Sequence, residues 1–224
     1  MDISQRILSD ITVYMKYARY VPELSRRESW EETVGRLITY LKSKTDSKLI
    51  PWTDLQTAIT NLEVMPSMRL LMTAGEAVER DNIAAYNCSY LAINNKRAFS
   101  EALYILMNGT GVGFSCERQE IDKLPSLPNS FKEVDDVIVV GDSKLGWSKA
   151  FKKLLSSLWE GDIPRIDYSK IRAAGSRLKT FGGRASGPDP LRKLFEFTIT
   201  VCKNAAGRKL NSIEVHDIMC MIGE

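Results

Sequence analysis

Apolar residues recur at three- and four-residue intervals through much of the chain and in short runs elsewhere, which predicts helices interleaved with strands. Ile7, Ile11, Tyr14, Met15 and Ala18 fall at helical spacing. Ser29-Trp30-Glu31-Glu32 reads as an N-cap with a capping-box glutamate, leading into Val34, Leu37, Ile38 and Leu41. Pro51-Trp52-Thr53-Asp54 opens a third helix through Leu55, Ile59 and Leu62. Residues 1–65 therefore read as a helical region. Residues 66–80 hold Pro66-Ser67-Met68-Arg69 and Thr73-Ala74-Gly75-Glu76 and read as loop and turn.

The pattern then changes period. A strand is expected over 86–93, followed by a helix from Arg97 to Met107 with Phe99, Leu103, Leu106 and Met107 on one face. Gly109 and Gly111 end that helix, and 112–115 reads as a buried strand. Strand, helix and strand in that order form a parallel unit, so the core is expected to be α/β. Residues 120–135, with Pro125 and Pro128, read as a loop. Val137-Ile138-Val139-Val140 is a strand ending in a turn at Gly141-Asp142-Ser143. A helix from about Gly146 to Trp159 is broken by Gly161-Asp162-Ile163-Pro164, and Arg165 to Tyr168 reads as a short strand. A loop rich in glycine, serine and arginine runs from Ala174 to Pro190. Leu191 to Asn204 is helical, and Asn211-Ser212-Ile213-Glu214 caps a last helix.

At 224 residues the chain is long enough to bury a substantial core. Its longest apolar runs are far too short to span a bilayer. No basic segment followed by an apolar one succeeds Met1, so no secretory leader is expected. The cysteines, Cys88, Cys116, Cys202 and Cys220, lack framework spacing, which suits a reducing cytoplasm. The net charge of +3 conceals an asymmetry. Between Arg165 and Lys209 there are 11 basic and 3 acidic residues, so this stretch carries +8 and the rest of the chain −5. Such a basic stretch favours an anionic partner, nucleotide phosphates or nucleic acid. Nucleic acid is disfavoured, because Phe181 alone gives no series of aromatic platforms among the charges.

Three constellations offer chemistry. Tyr86-Asn87-Cys88-Ser89-Tyr90 sets a cysteine on a short strand, near the glycine-rich run Gly109-Thr110-Gly111-Val112-Gly113-Phe114-Ser115. A thiol facing glycines, where backbone approaches a ligand closely, suits redox chemistry on a bound small molecule; simple packing of a buried cysteine is the alternative. The loop Lys179-Thr180-Phe181-Gly182-Gly183-Arg184-Ala185-Ser186-Gly187-Pro188 turns glycine amides and two cations toward an anion, although it lacks the Gly-Lys-Ser/Thr of a P-loop. Gly141-Asp142-Ser143-Lys144, between strand and helix, offers a carboxylate for a ribose hydroxyl and an ammonium for phosphate. His216 and Cys220 lie four apart on one helical face, but two ligands do not make a site, and no metal is expected.

Taken together, Met65-Pro-Ser-Met-Arg69, Met72-Thr-Ala-Gly-Glu76, Tyr86-Asn-Cys-Ser-Tyr90, Gly109 to Ser115, Phe181 to Pro188 and His216-Asp-Ile-Met-Cys220 resemble the N-terminal portion of the adenosylcobalamin-dependent, or class II, ribonucleotide reductases, and within them the monomeric ribonucleoside-triphosphate reductases. The resemblance implies an α/β fold: an N-terminal helical region (1–65), the first strands of a ten-stranded barrel (66–115), an effector-binding insertion (116–168), and an effector loop with barrel helices (169–224). It implies that Cys88 is the first-strand redox cysteine. Ser67, Asn87, Thr110 and Gly111 fall where the family lines its substrate pocket. Asp142, Ser143, Lys144, Arg172, Lys179, Gly182, Gly183 and Arg184 fall on the effector side, where a deoxynucleoside triphosphate binds.

Two departures qualify that likeness. The family continues beyond the point matching Glu224 into a substrate-effector loop, the radical cysteine with its glutamate, the second redox cysteine and most of the adenosylcobalamin site. A split or truncated reductase is therefore expected, inactive alone, completed by a complementary chain and reduced by a thioredoxin-type protein. Cys116 also stands where an aliphatic residue is expected, and Val215 where cysteine is common. The substrate would be a ribonucleoside triphosphate or diphosphate. The competing reading is a non-catalytic deoxynucleotide-binding regulator derived from the reductase.

Overall fold

Ser29 starts the helix on which the N-terminal part is built. Its side chain accepts from the Glu32 amide at 3.2 Å, and the Glu32 carboxylate accepts from the Ser29 amide at 2.7 Å. This capping box fixes the first turn of α2 (Trp30–Lys44) in our computed structural model, which describes residues 3–45, 48–178 and 183–224. The chain divides into two compact units, one ending at Asn87 and one running from Cys88 to Glu224.

In the first unit, α1 (Ile3–Lys16) precedes a short antiparallel pair, β1 (Tyr20–Val21) and β2 (Arg26–Arg27). After α2 come α3 (Trp52–Thr60), α4 (Met68–Thr73) and α5 (Glu76–Arg80). Val34, Leu37 and Ile38 of α2 pack with Ile59, Leu71 and Ala74 in a closed apolar cluster. Each such side chain contributes about 1.5–3 kcal/mol by leaving water.

A polar network ties the same parts together. Arg36 holds Glu28 with two hydrogen bonds, Nε to Oε1 at 2.7 Å and Nη2 to Oε2 at 2.8 Å, and donates Nη1 to the Ala74 carbonyl. The Arg19 amide and the Thr33 hydroxyl also donate to Glu28. Burial works to raise the Glu28 carboxyl, but these donors outweigh it and hold it below its ordinary value.

The second unit opens with a crossover. Strand β3 (Cys88–Ala92) leads through α6 (Arg97–Met107) into β4 (Gly111–Ser115), which pairs with β3 in parallel, Cys88 opposite Gly111 and Ala92 opposite Ser115. After a single turn, α7 (Arg118–Ile121), the move repeats. Strand β5 (Lys132–Val139) passes through α8 (Lys144–Glu160) into β6 (Asp162–Asp167), again parallel, with a register irregularity between Glu133 and Val137. Two helices, α9 (Asp189–Asn204) and α10 (Ser212–Gly223), complete the unit. Phe99, Phe151, Leu154, Leu158, Phe195 and Ile218 are each fully buried in one cluster. Phe151 stacks on Phe195 at 5.5 Å between centroids.

The helix-and-strand class agrees with the sequence reading. Among the described residues the strands form separate two-stranded sheets, so ten-stranded closure is not a property of these residues. Residues 66–80, read as loop and turn, hold α4 and α5. The Ser67 hydroxyl caps α4 by accepting from the Leu70 amide at 3.3 Å, and the proline before it disguises that start. The loop reading of 120–135 misses the beginning of β5, whose acidic residues lack the apolar signal of a strand. The small hairpin of β1 and β2 lies in a stretch read as helical. Strand β4 alternates between exposed and half-buried positions rather than being wholly buried. The face of α1 bearing Ile3, Ile7 and Ile11 is exposed, because periodicity marks a face and not its partner.

Glu28→Gln is expected to destabilise the first unit by about 3 kcal/mol at neutral pH, since it leaves Arg36 poorly compensated at a largely buried position. Because the Glu28 pKa is lowered by folding, its contribution is complete above the ordinary glutamate range and is lost as pH falls through the lowered folded value. Thermal melts of the two proteins should therefore converge in acid; a constant gap across pH would contradict the assignment.

Candidate functional site

The parallel register of β3 and β4 decides what surrounds Cys88. In-register partners project from the same face, so Cys88 and Tyr90 share a face with Gly111 and Gly113. Leu91, Val112 and Phe114 project from the other, toward the core. A methyl group at Gly113 would meet the Ser89 carbonyl at 3.6 Å, an ordinary contact. The backbone there thus tolerates a side chain, and its absence leaves an open floor beside the thiol. Cys88 and Tyr90 are exposed on that floor. The Ser89 hydroxyl donates to the Gly111 carbonyl at 3.2 Å and pins the two strands. Thr110 is buried, whereas Gly111 is exposed.

The turn from Gly141 to Gly146 starts α8. The Ser143 hydroxyl accepts from the Gly146 amide at 2.9 Å, capping the 17-residue helix. A methyl group at Gly146 would run into the Gly141 carbonyl oxygen, so only glycine lets the turn close this tightly. Asp142 accepts from Arg172 Nε at 2.8 Å and from the Arg172 amide at 3.3 Å. Asp142, expected to take a ribose hydroxyl, holds the neighbouring Arg172 here, with side chains 33% and 39% exposed. Lys144 reaches back to α6, its ammonium donating to Asn108 Oδ1 at 2.7 Å. The N-terminus of α8, its capped turn, Lys144 and the Asp142–Arg172 ion pair come together here, so the net positive charge rests on Lys144 and the helix end, an arrangement that favours an anion.

The other expected residues are more dispersed. Arg184 and Gly183 lie where the chain folds back as a bridge between Arg177 and Arg184, with Gly183 at φ +85°. The Arg184 guanidinium donates to the Gly175 carbonyl at 2.9 Å. Lys179 and Gly182 lie outside the described residues. Ser67 and Asn87 belong to the first unit, where Ser67 is engaged as a helix cap. Cys202 is fully buried, and burial pushes its thiol up to about 12, so it is chemically quiet. Cys220 is exposed, 3.5 Å from His216 Nε2, and His216 Nδ1 lies 3.2 Å from Asp217. Among the described residues no group of three or more metal-ligating side chains is assembled. No described helix is long and apolar enough to cross a membrane.

Asn108 escaped the sequence reading. An asparagine before glycine marks a helix end, but nothing in the sequence says that its side chain is fully buried and meets Lys144. Tyr90 was legible only as a strand residue; its place beside Cys88 follows from the period of two.

No family model matches the chain. It is similar to an adenosylcobalamin-dependent ribonucleoside-triphosphate reductase of Lactobacillus helveticus, 27% identical over 287 residues, covering 96% of this chain and 38% of the relative. A protein of the same name from Euglena gracilis is 28% identical over 240 residues, covering 96% of this chain and 32% of the relative. A crystal structure of a B12-dependent (class II) ribonucleotide reductase superposes with a TM-score of 0.84 at 25% identity, covering 95% of this chain and 39% of that one. The chain thus spans well under half the length of these relatives. The Lactobacillus alignment is also longer than the chain's 224 residues, so that relative carries residues within the matched stretch that this chain lacks.

Gly146→Ala is expected to force the 141–146 turn open and cost roughly 1–3 kcal/mol, as overpacking ordinarily does. Gly35→Ala in α2, where nothing lies within 4 Å of the added methyl, should instead stabilise by roughly 0.5–1 kcal/mol. Equal effects of the two in thermal melts would contradict the close approach.

Proposed function

From a chain related over nearly its whole length to the class II ribonucleotide reductases, we propose that it contributes a redox thiol and an effector-binding turn to the reduction of ribonucleotides to deoxyribonucleotides. The observation that supports this best is Cys88 in register with Gly111, exposed on a glycine floor, in a chain whose relatives bear that activity in their names.

The chemistry asked of Cys88 is reductive. Two thiols become a disulfide, supplying two electrons, and the ribose 2′-hydroxyl leaves as water with the 2′-carbon taking hydrogen in its place. Cys88 is one of the thiols, and the second belongs to the remainder of the reductase. The bare backbone of Gly111 and Gly113 lets a sugar lie flat against the strands within reach of Cys88, and Ser89 holds the two strands at that spacing. Adenosylcobalamin supplies the radical that begins such a reaction. The described residues offer it no imidazole beside Cys88: His216, the sole histidine of the sequence, stands exposed on α10 beside Asp217, Cys220 and Phe114, across β4 from the face that carries Cys88. The cofactor is therefore assigned to the remainder of the reductase.

Asp142, Ser143, Lys144 and Arg172 form the proposed contact for the triphosphate and ribose of a deoxynucleoside triphosphate effector, with Lys179 and Gly182 to Arg184 as its outer wall. Residues 116–168 are read as the insertion that carries this site. The substrate is a ribonucleoside triphosphate or diphosphate, the reductant of the thioredoxin type, and the setting the cytoplasm.

In a reductase assembled around this chain, supplied with adenosylcobalamin and a dithiol, Cys88→Ser is expected to abolish multiple turnover while leaving the thermal melt nearly unchanged. Cys202→Ser should lower stability and spare turnover. Undiminished turnover of the Cys88 variant would make that thiol structural and remove the reading.

A further inference from the structure

Helix α10 carries chemistry on the face it does not bury. Val215, Ile218, Met219 and Ile222 pack into the core, whereas His216, Asp217 and Cys220 are exposed. The capping box at Asn211, whose side chain accepts from the Glu214 amide at 2.9 Å, sets the first turn of the helix. Residues four apart then share a face, which brings His216 and Cys220 together. Cys220 Sγ lies 3.5 Å from His216 Nε2 and 3.8 Å from Nδ1. Nδ1 in turn lies 3.2 Å from Asp217 Oδ1. The ring tilts against Phe114 at 6.0 Å between centroids, a contact that steadies it. Thiol, imidazole and carboxylate thus form one contact series, across β4 from the face that carries Cys88.

We propose that Cys220, with His216 as its base, is a second reactive thiol and a site of reversible modification by low-molecular-weight disulfides. Its chemistry needs neither the Cys88 floor nor a bound nucleotide. With Nδ1–H donating to Asp217, Nε2 presents its lone pair to the thiol and takes the proton. The thiolate sulfur attacks one sulfur of the disulfide, and the S–S bond breaks. The departing thiolate takes the proton back from His216, leaving a mixed disulfide on Cys220. Cys220 is oxidised and the departing half of the disulfide is reduced; attack by a second thiol reverses the step. Cys220 lies in the last turn of α10, where the helix dipole disfavours an anion. The thiolate therefore depends on the imidazolium beside it. The Asp217 carboxylate balances that imidazolium and makes a cationic disulfide the better reagent.

The test treats the whole chain with cystamine, a cationic disulfide, and follows each cysteine peptide by mass spectrometry. Cys220 is expected to form the mixed disulfide and to lose it again on addition of dithiothreitol. Cys202, fully buried with its thiol pushed up to about 12, should stay unmodified and marks the fold as intact. His216→Gln keeps a polar side chain on an exposed position but supplies no base. It should slow modification of Cys220 by at least about tenfold, the order that a positioned base contributes, and leave the rate at Cys88 unchanged. A Cys220 that stays unmodified in the wild type, or that reacts at the same rate in His216→Gln, would overturn the inference. Equal slowing at Cys88 and Cys220 in that variant would overturn it too, because the effect would then not belong to the pair.

Discussion

The constraint on which the rest depends is the parallel pairing of β3 with β4. A parallel pair cannot close through a tight turn; it needs a crossover, and here α6 supplies it with Ala98, Phe99, Ala102 and Leu103 buried against the core. Once α6 is seated, its end fixes where β4 begins, and that sets Gly111 rather than a bulkier neighbour beside Cys88. A shift of one residue would put Val112 next to the thiol and turn Gly111 inward, filling the floor and unpacking the core together. Packing and chemistry therefore select the same register.

The second crossover, through α8, repeats the solution and adds a charged end. The close approach of Gly146 to Gly141 brings Asp142, Ser143 and Lys144 onto one tight turn, and Arg172 arrives from beyond β6 to be clamped by Asp142. The two crossovers meet through Ser148, whose hydroxyl donates to the Ser100 carbonyl at 2.8 Å, and through Lys144 and Asn108. Both junctions lie along the same helix pair, so the anion-favouring turn and the thiol floor are both built onto α6 and α8.

Much of this was legible in the sequence where local rules decide. The capping boxes at Ser29 and Asn211, the bounds of α6 and the parallel order of β3 and β4 followed from spacing and cap chemistry. The misses lie where tertiary context decides. Nothing local shows that Ser67 caps a helix after a proline, that acidic β5 pairs with β6, or that the periodic face of α1 is exposed. In the candidate site, Cys88, Lys144 and Arg172 were legible as chemical types. The Asp142–Arg172 clamp and the Asn108–Lys144 bond were not, because both join residues more than 29 positions apart, at separations of 30 and 36.

The central claim is that one chain presents two distinct nucleotide surfaces, a thiol floor and an anion-favouring turn. Backbone amide shifts during titration with a ribonucleoside triphosphate and, separately, a deoxynucleoside triphosphate test it most directly. The account predicts that the ribonucleotide moves residues 87–90 and 109–113. It predicts that the deoxynucleotide moves residues 141–146 and 172–176 first, with smaller changes at 108–111. Identical shifts for both ligands, or shifts confined to neither segment, would contradict it.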